Sequence, residues 1–133
     1  MKVIDASALS AYLLREEGFE EIRKFILEGT ISLDLVLKEV ANAILLAYRR
    51  NRLKLEEVGK AFEALKYLLN INIKIESQEA LLEEAFNIAF KGDVSIYDAL
   101  YIELARRRKV ELISRDDKQV KVAGDFGVRA LFI

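Results

Sequence analysis

Short apolar runs alternate with amphipathic helical stretches along this whole sequence, and that alternation constrains the fold more than any other feature. The runs at 2–5, 31–33, 110–114 and 128–133 read as strands, and Ile71, Ile73 and Ile75 alternate with polar residues as one more short strand would. Between them, Phe19, Ile22, Phe25 and Ile26 recur at helical spacing. So do Val36, Val40, Ala43, Ile44 and Ala47, and then Val58, Phe62, Leu65 and Leu69. The pattern predicts helices over 8–15, 19–28, 35–50, 55–70, 77–91, 95–109 and 117–123. Gly29 suits the C-terminal cap of the second helix, and Gly92 would close the fifth. Strands separated by helices form a parallel sheet covered on both faces. The expectation is an α/β fold, one domain over 1–133, with three layers α/β/α around a central, mostly parallel sheet of about four to five strands. A chain of 133 residues with 53% hydrophobic composition can bury a core of this kind without disulfide staples.

Composition narrows the chemistry. There is no Cys and no His, so disulfides, thiolate zinc sites, cysteine nucleophiles, Ser-His-Asp triads and His-ligated metals are all excluded. Acid–base or metal chemistry must come from the 22 Asp and Glu, supported by Lys, Tyr and Ser. A net charge of −1 gives no global basic footprint for nucleic acid, though local ones remain open. The N-terminal apolar run is broken by Asp5, Ser7 and Ser10, which suits neither a leader nor a membrane span. The expected compartment is the cytoplasm.

In an open parallel sheet, ligands sit in the crevice beyond the carboxyl ends of the strands. Asp5 ends the first predicted strand, and Asp116 comes two residues after the 110–114 strand. Glu39 lies in the early turns of the helix after the second strand, and helical side chains tilt back toward the helix start. Asp98 opens a helix and stands among apolar residues in SIYDALYIELA, where an unpaired charge is costly. Four carboxylates from distant segments are thus expected at one sheet edge. Such a group raises its members' pKa values, and a divalent cation relieves the repulsion. All-oxygen ligation favours Mg²⁺ or Mn²⁺, which can polarise a phosphoryl oxygen and acidify a water.

Each of these residues also has an ordinary structural use. Asp5 can cap the helix that follows it. Ser95 with Asp98, and Ser114 with Asp117, both fit the capping-box spacing. Glu39 can be a solvated helix residue. Asn42, one turn further on the same face, can orient Glu39 or be a plain surface amide. Ser7 can bond Asp5 or cap a helix, and Ser114 is similar. The basic runs 49–52 and 106–109 close helices, where cations complement the macrodipole. Arg115 and Lys118 flank Asp116 and could meet phosphates. Tyr97 and Tyr101, four apart, read as core or interface.

The blocks MKVIDASAL, EVANAI at 39–44, SIYDALYIELA at 95–105 and LISRDDK at 112–118 resemble, in order and spacing, the four blocks of PIN domains. The likeness is greatest to the VapC toxins of prokaryotic VapBC toxin–antitoxin pairs, of the archaeal type. The resemblance implies a Mg²⁺- or Mn²⁺-dependent endoribonuclease whose acidic quartet falls on Asp5, Glu39, Asp98 and Asp116, with Asp117 as a possible fifth acid. It implies supporting roles for Ser7, Asn42 and Ser114, a homodimer, an RNA substrate and a VapB-like antitoxin. Ala6 departs from the family's D-T/S-S pattern by lacking a hydroxyl. The rival readings are a PIN-type RNA-processing nuclease that is not a toxin, and a non-catalytic binding module whose acids are caps. A phosphoacceptor receiver domain and a D-x-D phosphatase both need a second acid near Asp5, where Ala6 and Ser7 stand instead.

Overall fold

The computed structural model describes every residue from Met1 to Ile133. The chain begins with β1 (Lys2–Ile4), α1 (Ala6–Leu13), α2 (Phe19–Leu27), β2 (Thr30–Leu33), α3 (Val36–Arg49), α4 (Leu55–Ile71) and β3 (Ile73–Glu76). A 3-10 turn (Glu79–Leu81) leads into α5 (Leu82–Gly92), followed by α6 (Ile96–Arg108), β4 (Leu112–Ser114), α7 (Asp117–Asp125) and β5 (Ala130–Phe132). The five strands form one sheet in the order β3-β2-β1-β4-β5, and every neighbouring pair is parallel.

Right-handed crossovers fix which face each helix covers. The chain moves one way along the sheet from β1 to β3, which puts α1–α4 on one face. It then crosses to β4 and moves the other way to β5, which puts α5–α7 on the opposite face. The packing agrees: α1 touches α2, α3 and α4, while α6 touches α5 and α7. The reversal falls between β1 and β4, so the sheet's switch point lies at the carboxyl ends of those two strands.

β1 and β4 are the innermost strands, and Val3, Ile4, Leu112 and Ile113 are fully buried. α6 is buried along an unbroken run from Ala99 to Ala105, because the sheet, α5 and α7 enclose it. That explains its near-continuous apolar sequence, since a helix enclosed by neighbours needs no polar face there. Its C-terminus feeds β4, so its N-terminus, with Asp98, returns to the carboxyl edge of the sheet.

Several boundaries differ from those the sequence predicts. Asp5 leaves the strand and caps α1, which therefore starts at Ala6 rather than 8. Residues 77–91 are not one helix: Ser77 Oγ accepts from Glu79 N at 3.2 Å, and the 3-10 turn precedes α5. Gly29, with φ of +94°, does follow α2 in the left-handed form. Gly92 does not close α5 that way. It is the last helical residue, and Asp93 takes the left-handed position with φ of 55°. A Cβ on Gly92 would stand 2.5 Å from Val122 Cγ1, so its missing side chain lets α5 approach α7. Lys109 is also left-handed, with φ of 56°, and delays β4 to Leu112.

Candidate active site

Local structure places each acid at the switch point. β1 ends at Ile4, so Asp5 sits at the strand's carboxyl end, where its Oδ1 accepts from Ala8 N at 2.8 Å and caps α1. Ser7 Oγ donates across the same carboxylate, 2.7 Å from Oδ1 and 2.9 Å from Oδ2. Ser114, the last residue of β4, places its Oγ 2.6 Å from Asp5 Oδ2. Asp5 is 3% exposed. Burial pushes its carboxyl up to about 6, against the opposing pull of Ser114, Ala8 N and Ser7 and with a further upward push from the Asp98 charge.

Ser114 Oγ lies 2.6 Å from Asp5 Oδ2 and also 2.6 Å from Gln119 Oε1, and Gln119 Nε2 donates to the Asp98 carbonyl at 3.2 Å. Ser114 therefore bridges the Asp5 carboxyl to an amide that is itself tied to the start of α6.

Glu39 stands in the first turn of α3, which follows β2 after a two-residue link. It is half-buried, and the Tyr101 hydroxyl donates to its Oε1 at 2.7 Å. Burial holds its carboxyl above the usual range, Tyr101 opposes this, and the Asp98 charge adds to it. Asp98 lies in the first turn of α6, where Ser95 Oγ accepts from its amide at 3.1 Å. Its carboxyl is also raised, first by burial and then by the Asp116 charge, with Ser95 pulling the other way. Asp116 caps α7, its Oδ1 accepting from Lys118 N at 3.0 Å and Gln119 N at 3.1 Å. The Tyr101 hydroxyl is raised by burial and by the charges of Glu39 and Asp5.

Asp98 stands within electrostatic reach of the other three acids: its charge raises Asp5 and Glu39, and the Asp116 charge raises Asp98. No three carboxylates stand at the mutual spacing of a ready-made metal cage. Mg²⁺ seldom needs one, because it keeps several waters and uses one or two carboxylates. An all-oxygen, half-buried set whose members repel one another fits such an ion.

The structural uses are resolved as well. Asp5 and Asp116 are helix caps and members of the cluster together. Ser95 and Asp98 form only half a capping box, since no bond returns from the Ser95 amide to Asp98. Ser114 does not cap α7; its Oγ accepts from Asp116 N at 3.0 Å and bridges Asp5 to Gln119. Ser7 Oγ accepts from Arg115 N at 2.9 Å, tying α1 to the segment after β4. Asn42 is exposed and makes no hydrogen bond to Glu39, and Asp117 is exposed in the first turn of α7, outside the hydrogen-bonded cluster. Lys118 pairs with Asp93 at 3.2 Å. Tyr97 is 56% exposed, whereas Tyr101 is 1% exposed.

Two members are not evident as site residues from the sequence. Tyr101 stands three residues after Asp98, and Gln119 three after Asp116. A polar group one turn from a site acid on the same helix is the signal that could have found both.

The PIN-domain family model matches residues 2–125. Ribonuclease VapC3 of Pyrobaculum aerophilum is 33% identical to this chain over 116 residues, covering 86% of it and 88% of the relative. Among solved structures, PAE2754 from Pyrobaculum aerophilum superposes with a TM-score of 0.75 at 24% identity, over 97% of this chain and 82% of that one. FitAcB from Neisseria gonorrhoeae gives a TM-score of 0.66 at 16% identity, over 100% of this chain and 97% of that one. At those identities the two structures bear on the fold, and they share the α/β/α architecture seen here.

Proposed function

The chain belongs to the PIN-domain family, and from that premise we propose that it is a divalent-metal-dependent endoribonuclease and the toxin of a VapBC toxin–antitoxin pair. The supporting observation is the position of four acids at the carboxyl edge of the sheet: Asp5 and Asp116 cap the helices after β1 and β4, and Glu39 and Asp98 lie in the first turns of α3 and α6. Asp5, Asp98 and Asp116 would hold Mg²⁺ or Mn²⁺, directly or through water, with Glu39 beside them. Bound there, the ion would polarise a phosphoryl oxygen and offset the charge that develops on it.

The chain's own groups supply the rest. Tyr101 holds Glu39 Oε1 and leaves Oε2 to take a proton from the attacking water. A base whose pKa is raised toward working pH is suited to that transfer. The water oxygen bonds to phosphorus as the opposite P–O bond opens, and the leaving oxygen collects a proton from solvent. Ser7 and Ser114 fix the Asp5 carboxylate, and Gln119 ties that pair to the start of α6.

Partner readings rest on surface features. A cleft of about 560 Å³ between α1, α2 and α4, with Leu13, Leu14, Phe19 and Leu53 in its lining and Arg15, Arg23 and Lys60 beside them, suits a VapB-like segment. Leu82, Phe86 and Phe90 form an exposed stripe on α5 at helical spacing, which suits a homodimer. No helix is long and apolar enough to cross a membrane.

The test is cleavage of single-stranded RNA with Mg²⁺ or Mn²⁺, with EDTA, and with folded Asp98→Asn. Activity is expected only with the ion and only in the wild type. Cleavage in EDTA, or undiminished cleavage by Asp98→Asn, would reject the mechanism. Growth arrest on induction, relieved by a co-expressed antitoxin, separates the toxin from an RNA-processing enzyme.

A further inference from the structure

A groove runs from the acids along α3, between α3 and α1. One face of α3 forms its floor: Glu39, Ala43, Leu46, Ala47 and Arg50 recur at spacings of one helical turn. The opposite wall is α1, through Ser7, Ser10 and Leu14. Ala43 and Ala47 are small, so the floor is low and the groove encloses about 470 Å³. Glu39 and Arg50 sit at its two ends, roughly 16 Å apart along the helix. The groove therefore starts at the acidic site and ends at a pair of guanidiniums.

Arg50 and Arg52 stand at that end, whereas Arg115, also in the lining, follows Ser114, and its amide donates to Ser7 Oγ beside Asp5. Arg50 and Arg52 form no ion pair, and the Arg115 guanidinium donates only to the Glu17 carbonyl. Glu16 is the single acid at that end. The backbone places Arg52 there: Asn51 adopts φ of 59°, and Arg52 N then donates to Ala47 O at 2.8 Å, folding the chain back over the end of α3. Left-handed Asn is tolerated at such a turn. Complementing the macrodipole would account for Arg49 as well, but Arg49 lies outside the groove.

Resting on the nuclease reading, we propose that this groove is the track for the single-stranded RNA flanking the scissile phosphate, with Arg50 and Arg52 binding its backbone phosphates. Unpaired guanidiniums are suited to bidentate phosphate contacts. They also answer an electrostatic need. A polyanion must approach a site made of carboxylates, and cations a few nucleotides away hold the strand where its charge does not meet the acids. The same arginines could instead receive an acidic segment of a protein partner. Continuity of the groove with Ser7 and Glu39 favours the substrate.

The experiment reads binding without cleavage. In an Asp98→Asn background, the anisotropy of a labelled, mixed-sequence single-stranded RNA is followed against salt. Arg50→Ala/Arg52→Ala is expected to weaken binding and to flatten the log–log salt slope by about 1.4, the value for two lost phosphate contacts on a single strand. Arg49→Ala, which removes a like charge from the same helix end, is expected to leave the slope unchanged. All three side chains are exposed, so the variants are expected to fold, and melting curves check this. An unaltered slope in the double variant, or an equal loss in Arg49→Ala, would overturn the track. So would retained RNA binding alongside lost binding of an acidic partner peptide. RNA held through Arg50 and Arg52 but never cut by the wild type would leave the track in place and remove the nuclease.

Discussion

Asp5 is the carboxyl most out of balance in this protein. Its carboxyl is raised from 3.8 to about 6, chiefly by burial. Such a shift corresponds to roughly 3 kcal/mol between its two protonation states. The folded form then binds more protons than the unfolded form between about pH 4 and pH 6, so stability falls as pH rises through that window. Glu39 and Asp98 shift in the same direction. Glu103 shifts the other way: burial raises its carboxyl, but Arg106 and Arg107 outweigh this and leave it lowered. The clean observable is therefore a difference. Asp5→Asn keeps an oxygen for Ala8 N and presents an amide to Ser114. Calorimetric melting in EDTA is expected to show Asp5→Asn more stable than wild type at pH 7, with the gap closing toward pH 4. A gap that widens on acidification would show that Asp5 is ionised and well stabilised. The acids themselves were legible in the sequence, because strand ends and helix starts carry them. Tyr101 was legible only as an apolar residue, since its hydroxyl's partner, Glu39, is 62 positions away.

At the scale of elements, the order and type of the strands and long helices followed from short apolar runs alternating with helical stretches, although the enclosed α6 carries no helical period of its own. Boundaries failed where one residue's contacts decided them. Gly92 is the clearest instance. A glycine near a helix end reads as a left-handed cap, but here a neighbour 30 positions away sets its role: Val122 of α7 lies where a Cβ would go. Val122 is β-branched and stiff, so it cannot swing aside. Gly92→Ala is expected to destabilise the protein by about 1–3 kcal/mol through overpacking, despite alanine's better helix propensity. Val122→Ala added to it should restore part of the loss in a denaturant titration. A Gly92→Ala variant as stable as wild type would mean that α5 and α7 are not in close contact. Ser77 illustrates the same limit: its hydroxyl accepts from Glu79 N at the start of a 3-10 turn and does not cap α5.

At the scale of the whole molecule, topology gathers the site. β1 sends the chain one way and β4 sends it the other, so Asp5 and Asp116, which follow those strands, both lie at the switch point. Helix direction then brings Glu39 and Asp98 to the same edge. The α5 stripe lies outside this core, and Phe90 is 81% exposed. Light scattering is expected to give a dimer's mass for the wild type and a monomer's for Phe86→Glu/Phe90→Glu; a monomeric wild type would remove the dimer reading. The central claim is that carboxylates distant in sequence share one divalent ion at Asp98. Calorimetric titration of Mn²⁺ at pH 7 measures this directly. Saturable binding to wild type, lost in folded Asp98→Asn, is the expected result. No binding to the wild type, or the same isotherm in the variant, would contradict it.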